Sequence, residues 1–325
     1  MRSLDADALE CLAAIVEEGG FERAALRLSV TQSAVSQRLR SLEAQVGTVL
    51  LVRSRPIRPT SAGRLLIKHA VQLRLLRADL ETDLQELTPG ARAQREEDRI
   101  SIAINADSIA TWALPALSPL VNAGLPLEII TDDQDFTHEW LREGQVLGCV
   151  TTVQLALRGC KVLPLGDMQY VAVAAPDFAA AHCPQGLTPH NFRQIPFIAF
   201  NRKDDLQADF VGRALGLRRV ALSQRFVPST EGQVHAVQAG WGASVVPALL
   251  VQDALARGSL VNLVSAFSLP VSLYWHCWNL DSEVIDRLTQ ALSAGARATL
   301  ARAGAKPAAA AKAAAKAAPR RRKAP

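Results

Sequence analysis

Residues 21–63 read FERAALRLSVTQSAVSQRLRSLEAQVGTVLLVRSRPIRPTSAG, and this stretch decides the first domain. Phe21 to Leu28 reads as a short helix, and Ser29-Val30 as a tight break. Thr31 offers a hydroxyl to cap a longer helix running to about Gln45, and Gly47 supplies its stop. On a helical wheel Val35, Leu39 and Leu42 share one side. Ser33, Ser36, Gln37 and Arg40 lie opposite, with Gln32 and Arg38 on the flanks and Thr31 at the start. A helix-turn-helix needs this division, because its second helix buries one face and offers the other to the major groove. Glutamine can pair with adenine, arginine with guanine, and serine with a base or a phosphate. Wheel geometry alone leaves a merely solvated polar face equally open. Leu50 to Val52 and the SRPIRPT stretch read as a small hairpin wing, where Arg53, Arg55 and Arg58 could grip phosphates.

Upstream, Asp5 to Glu18 reads as a helix with Asp5 as its cap, stopped by Gly19-Gly20. Downstream, Thr60 opens a long helix with no proline or glycine between Gly63 and Thr88. Leu66, Leu73, Leu76, Leu80, Leu84 and Leu87 form a narrow apolar stripe along it. The stripe suits a dimer seam better than packing on its own domain. The linker TPGARAQREED ends the helix, and the periodicity then changes. Alternating strands and helices follow: strands at 99–104, 125–131 and 146–151, with helices at 109–121 and 137–143 between them. A second such unit begins near Met168, with strands at 197–200, 221–226, 243–246 and 269–276. Its helices are expected at 205–215 and 230–239, with a closing helix over 282–302. Two α/β units of this size predict two lobes with a small-molecule cleft.

The expected fold is therefore an all-α winged helix-turn-helix over 1–60, a linker helix over 61–90 and a two-lobed α/β sensor over 91–304. Lobe I is expected at about 97–165 and 269–302, and lobe II at about 166–268. Residues 305–325 form a low-complexity Ala/Lys/Arg tail expected to be disordered.

Composition narrows the function. No apolar run is long enough for a membrane helix, and the N-terminus lacks the apolar stretch of a secretory signal. The five cysteines, Cys11, Cys149, Cys160, Cys183 and Cys277, are scattered and include no C-x-x-C, which points to reduced cytoplasm. The six histidines show no metal spacing, and neither a metal nor an organic cofactor is expected. No nucleophile elbow, Walker A or dinucleotide fingerprint appears, so nothing supports an enzyme. The net charge of +5 hides an imbalance: removing the seven tail cations, from Lys306 to Lys323, leaves −2 for residues 1–305. Affinity for nucleic acid must come from a local patch and the tail.

The 21–63 stretch, above all TQSAVSQRLRSLE, resembles the winged helix-turn-helix of LysR-type transcriptional regulators. AGWGASVVP at 239–247 is similar to a stretch in the second sensor lobe of that family. INADSIATWALPAL, REGQVLGCV and LYWH resemble its LysG/ArgP group more narrowly. The resemblance implies a periplasmic-binding-protein-like sensor, an L-lysine or L-arginine effector and control of a basic amino-acid exporter gene. It implies double-stranded DNA and RNA polymerase as partners, a homodimer or homotetramer, and a place at the cytoplasmic nucleoid. It assigns DNA contact to Gln32, Ser33, Ser36, Gln37 and Arg38, with Arg53 and the RPT turn in the wing.

Effector candidates follow from the strand ends. Asn105, Asp107 and Ser108 stand where a strand meets a helix, and free N–H groups there suit a carboxylate. On spacing alone a helix cap is the better reading of Asp107 or Ser108; the resemblance reverses this in favour of ligand contact. Asp132, Asp133 and Asp135 follow the next strand, where they could hold ammonium groups or line a solvated loop. Thr151 and Thr152 end the third strand at the same edge. Asp204 could approach from the other lobe or cap a helix, and Glu231 opens another helix, where its charge disfavours an anion.

A ligand-gated transcription factor accounts for all of these features. The tail alone would fit an architectural, nucleoid-associated DNA-binding protein. A LysR-type regulator of a different effector, or a solute-binding transport subunit, would fit the two lobes. Truncation after Gly304 is expected to leave folding intact and weaken binding to scrambled DNA, most at low salt. Filter binding at two salt concentrations checks this; equal affinity with and without the tail removes its role.

Overall fold

The computed structural model of the chain describes residues 4–52, 54, 56–87, 100–131 and 137–301. These divide into two compact units. The first holds the residues up to Pro164 together with Leu273–Ala296, and the second holds Leu165–Ser272 with the described residues from Arg297.

The first unit begins with helices α1 (Ala6–Glu17), α2 (Phe21–Arg27) and α3 (Gln32–Val46). The Asp5 carboxylate accepts the Asp7 N–H at 3.2 Å, and the Thr31 hydroxyl accepts the Ala34 N–H at 3.2 Å. Each cap satisfies a donor that the first helical turn leaves open. Gly47, at φ 78°, closes α3 in the left-handed region. The wing is β1 (Leu51–Val52) paired antiparallel with β2 (Arg58–Pro59). Leu9, Leu12, Ile15, Val35, Leu39 and Leu42 form the core of this part, with Leu50 from the wing.

Helix α4 (Ser61–Leu87) grows directly from the wing. Thr60 fixes the junction by donating its hydroxyl to the Val49 carbonyl at 2.9 Å and accepting the Gly63 N–H at 3.1 Å. A Cβ on Gly63 would stand 2.1 Å from the Leu50 carbonyl oxygen, so only glycine allows the approach. Ile67 and Ala70 are buried in the helix-turn-helix core, and Leu66, Val71 and Leu73 pack against it. Leu76, Leu80 and Leu84 are 41%, 55% and 50% exposed. The stripe expected to be one seam is therefore split: its first turns pack on the helix's own domain, and the next turns stay uncovered. The Leu87 side chain and the linker after it lie outside the described residues.

An ion-pair cluster ties α4 to α1 and α2. Arg74 meets Glu10 at 2.6 Å and Glu17 at 3.3 Å, while Arg27 meets Glu17 and, at 3.5 Å, Glu18. Burial pushes the Glu17 carboxyl up, but Arg74 and Arg27 outweigh it and hold the group below its ordinary value of 4.5.

The α/β part of the first unit carries β3 (Ile100–Ala103), β4 (Leu127–Ile130) and β5 (Gly148–Thr151). Strand β3 is parallel to both neighbours, with Ile102 opposite Ile129 and Ala103 opposite Cys149. Between β3 and β4 run α5 (Ala106–Ser108), a π turn (Ile109–Ala113) and α6 (Leu114–Asn122), end to end. Pro115 has no N–H to give the Thr111 carbonyl, and the helical ladder loosens there into the wider turn. Helix α7 (Thr137–Arg142) joins β4 to β5.

In the second unit, β6 (Cys160–Ala174, shared with the first unit through Pro164) pairs antiparallel with β9 (Ser244–Pro247) and β10 (Val261–Asn262). Strands β7 (Pro196–Ala199) and β8 (Ser223–Phe226) run parallel. Helices α8 (Pro176–His182), α9 (Leu206–Leu215), α10 (Thr230–Gln238) and α11 (Ala248–Ala256) surround them. The chain returns through β11 (Leu269–Trp278), which pairs antiparallel with β5, and ends in α12 (Glu283–Thr299). The sequence placed 269–302 with the first lobe, whereas both ends of that span belong to the second unit. Paired backbone bonds between Asp167 and Ala301, 2.9 and 3.1 Å, hold the last described residues there.

Replacing Arg74 with alanine is expected to cost about 1–3 kcal/mol, because Glu10 and Glu17 lose a half-buried partner. Glu17 has a lowered folded-state pKa, so its contribution is complete above 4.5 and fades as pH falls through the folded value. Urea melts at neutral and acid pH check both points; an Arg74→Ala protein with unchanged stability and an unchanged acid slope would rule them out.

Candidate nucleic-acid interface and effector site

The polar face of α3 is open to solvent. Thr31, Gln32, Ser33, Gln37 and Arg40 are exposed, Ser36 is half-buried, and Val35, Leu39 and Leu42 face the core. The Thr31 hydroxyl is occupied by its cap and lies 3.0 Å from the Ser33 hydroxyl. Arg38 turns away from the polar face: it meets Asp7 at 3.3 Å and points a guanidinium N–H at the Cys11 sulfur, 3.7 Å away. It thus fastens α3 to α1. Arg58 is exposed on the wing strand β2, and Arg53 lies outside the described residues. On α3 the arrangement presents short hydrogen-bonding side chains and one exposed arginine, Arg40, which suits base reading.

The effector candidates of the first unit gather at one sheet edge. Ala103 and Cys149 are register partners, so Asn105 and Thr151 each follow two residues later at the carboxyl ends of parallel strands. Asn105 is 1% exposed, yet neither its amide oxygen nor its amide nitrogen has a partner. Ser108, fully buried, also has an unpartnered hydroxyl. Neither side chain caps the helix that starts there, so the helix-cap reading fails for Ser108. Asp107 is half-buried in the first turn, where its carbonyl accepts the Thr111 hydroxyl at 2.6 Å. Thr151 is buried, its hydroxyl 3.3 Å from the Val153 N–H, and Thr152 is half-buried beside it. Asp132, Asp133 and Asp135 lie outside the described residues.

Two further side chains at this edge come from the LYWH stretch, which was read as part of the family resemblance but not as part of the site. Tyr274 on β11 stands opposite Thr151. Two residues on, the His276 Nε2 lies 2.6 Å from the Val153 carbonyl. A carbonyl can only accept, so Nε2 carries the proton and the buried, unpartnered Nδ1 is a bare acceptor. Burial pushes the His276 pKa down, which keeps the ring neutral.

In the second unit, Asp204 spends both oxygens on its own loop, accepting the Phe200 and Leu206 N–H groups at 2.9 Å each. That is a structural fastening, the plainer of its two expected roles. Glu231 is exposed on the first turn of α10, a helix capped by Ser229. Arg53 and the acids after β4 lie outside the described residues; at the sheet edge the first unit brings together Asn105, Ser108, Thr151 and Thr152. Among the described residues no group of three or more potential ligands could hold a metal, and no helix is long and apolar enough to cross a membrane.

Residues 6–64 match the family described as bacterial regulatory helix-turn-helix protein, lysR family, and residues 93–297 match the LysR substrate binding domain. The chain belongs to the LysR family of transcriptional regulators. It is 43% identical over 293 residues to the HTH-type transcriptional regulator LysG of Mycobacterium tuberculosis, covering 90% of this chain and 94% of that protein. The crystal structure of ArgP from Mycobacterium tuberculosis superposes with a TM-score of 0.80 at 42% identity, covering 93% of this chain and all of that one. Full-length LysG from Corynebacterium glutamicum with bound effector Arg gives 0.70 at 32% identity, covering 91% of this chain and 99% of that one. The LysR-type chain is thus a DNA-binding, ligand-responsive transcriptional regulator of the LysG/ArgP kind.

Gln37→Ala is expected to relax base preference at one position, costing about 1–3 kcal/mol there. Arg58→Ala should weaken binding to all sequences and reduce the salt slope by about one unit. Gel shifts on a duplex recovered by in vitro selection, and on its scrambled form, read both effects. Unchanged selected-duplex affinity in both variants would overturn this interface.

Proposed function

We propose that this regulator senses L-arginine or L-lysine and controls the gene of a basic amino-acid exporter. The observation that carries the reading is the pair of buried, unpartnered side chains, Asn105 and Ser108, at the carboxyl edge of β3. An unmet buried hydroxyl or amide costs about 1–3 kcal/mol, and a bound amino acid would supply the missing partners. The arginine named in the Corynebacterium glutamicum structure supports the choice of ligand. In this reading Asn105 and Ser108 take the α-carboxylate, with Asp107, Thr151 and Thr152 beside them. Asp132 and Asp133 take a cationic end, while Asp204 and Glu231 belong to the second lobe's share. Asp204 acts there through its loop.

Thr31, Gln32, Ser33, Ser36, Gln37 and Arg40 would read DNA, Arg53 and Arg58 would hold phosphates, and Arg38 would position the reading helix. The uncovered Leu76, Leu80 and Leu84 support a dimer built through α4, with tetramers formed from dimers. The protein would work in the cytoplasm, contact RNA polymerase, need no cofactor and catalyse no reaction. The basic tail supports one added property, sequence-independent DNA affinity.

Calorimetric titration with lysine, arginine, histidine, leucine and glutamate tests the effector. Lysine or arginine is expected to bind below millimolar. Ser108→Ala should weaken that binding about ten- to a hundredfold, the effect of losing a charge-assisted hydrogen bond. Preference for glutamate or leucine, or no binding of any basic amino acid, overturns the assignment.

A further inference from the structure

The first unit contains a direct structural route from the effector edge to the linker helix. Helix α7 starts beside the edge: the buried Thr137 hydroxyl donates to the Val150 carbonyl at 2.8 Å, one residue before Thr151. The helix ends in a tight double-bonded turn, with the Gly144 N–H on the Leu141 carbonyl at 3.1 Å and the Gln145 N–H on the Trp140 carbonyl at 3.0 Å. Gly144 has φ 77°, and β5 then leads back to Thr151. One short helix, one turn and one strand therefore join Thr137 and Thr151 at one end to Gly144 at the other.

The Gly144 turn presses on α4. A Cβ at this position would stand 2.5 Å from Lys68 Cα and 2.4 Å from Lys68 Cβ, so the contact is with the helix backbone and excludes any side chain. Lys68 lies between Ile67 and Ala70, both buried in the helix-turn-helix core. Beside the contact is a cavity of about 500 Å³, lined by Val16, Ile67, Val71 and Leu75 on one side and by Ile130 and Trp140 on the other. The sensor part thus bears on the linker helix at a tight point next to loosely filled space. Such a point transmits displacement, because close-packed backbone cannot absorb it while the cavity leaves the neighbouring surfaces room to shift.

We infer that Gly144 is a positioning residue for the ligand response. Its contact with the Lys68 backbone carries changes at the effector edge into α4 and the DNA-reading core. The inference rests on the effector reading above and adds the route by which that site acts.

The test uses the full-length protein, arginine as the probe and the duplex recovered by in vitro selection. Calorimetry measures arginine binding without DNA. Fluorescence anisotropy and end-to-end energy transfer measure the arginine-dependent change in duplex affinity and bend. In Gly144→Ala, arginine affinity is expected to stay within threefold of wild type, and the arginine-dependent change on DNA to fall at least fivefold. A full response on DNA, or loss of arginine binding by the folded variant, overturns the inference. Hydrogen exchange on the wild type supplies a readout independent of the variant's folding. Arginine should alter protection in residues 64–72 as well as in 141–147, and an unmoved 64–72 segment overturns the route. Failure of the wild type to bind arginine appears in the first titration and sinks the effector reading, and this inference with it. Normal arginine binding with a silent linker helix sinks the inference alone.

Discussion

Ile67 and Ala70 share one helix with Leu76, Leu80 and Leu84, and the continuity of that backbone governs the rest of the molecule. The first two residues are buried in the helix-turn-helix core, where α4 packs on α1, while the three leucines are uncovered. Burial of a side chain such as Ile67 contributes about 1.5–3 kcal/mol, enough to hold the start of α4 on the reading domain. Arg74, one turn further on, meets Glu10 and Glu17 and extends the attachment through a polar cluster. The helix cannot move against α1 without opening this core. Any partner that covers the leucines therefore fixes the position of the reading helix as well.

Buried polar groups divide into those the fold satisfies and those it leaves open. Gln207 gives and takes a bond with the backbone of Val245, and Ser244 bonds both the Ile198 carbonyl and Gln233. Asp204 does the same for its loop. These groups offset their own desolvation and specify local structure. Asn105 and Ser108 do not, although they are as deeply buried. A structural role would have given them partners within reach of a helix start rich in donors. Their open valences make sense where a ligand completes them.

The helix-turn-helix was legible because its determinants are local. Thr31, Val35, Leu39, Leu42 and Gly47 fix cap, buried face and stop within one stretch, and the structure uses each as the spacing requires. Asn105 and Ser108 were found as a strand-to-helix junction, but only three-dimensional packing shows that their polar atoms are unmet. Arg38, which the wheel put on the flank and the resemblance assigned to DNA, meets Asp7 and Cys11 on another helix, partners that no wheel can see. The linker stripe was read as one seam because periodicity does not say which neighbour covers which turn. Helices α8 and α11 and strand β10 escaped notice, being short segments with little periodicity to detect. Gly144, just past the helix expected at 137–143, drew no reading of its own from the sequence; its meaning comes from Lys68, far away in sequence.

Charge distribution explains why geometry has to carry the regulation. The body of the chain, residues 1–305, has a net charge of −2 once the seven tail cations are set aside from +5. The reading helix keeps Arg40 exposed, while Arg38 is held by Asp7. Of the two arginines on α3, Arg40 is the one left exposed, so phosphate affinity falls largely to the wing arginines and the tail. In the dimer proposed above, two reading helices meet two half-sites together. The gain depends steeply on the distance and angle between them. Those quantities are set along α4, the same helix that Gly144 touches at Lys68. A ligand need not create or remove a DNA contact to act on such a protein. It only has to favour one geometry of the linker over another, by the difference in its affinity for the two.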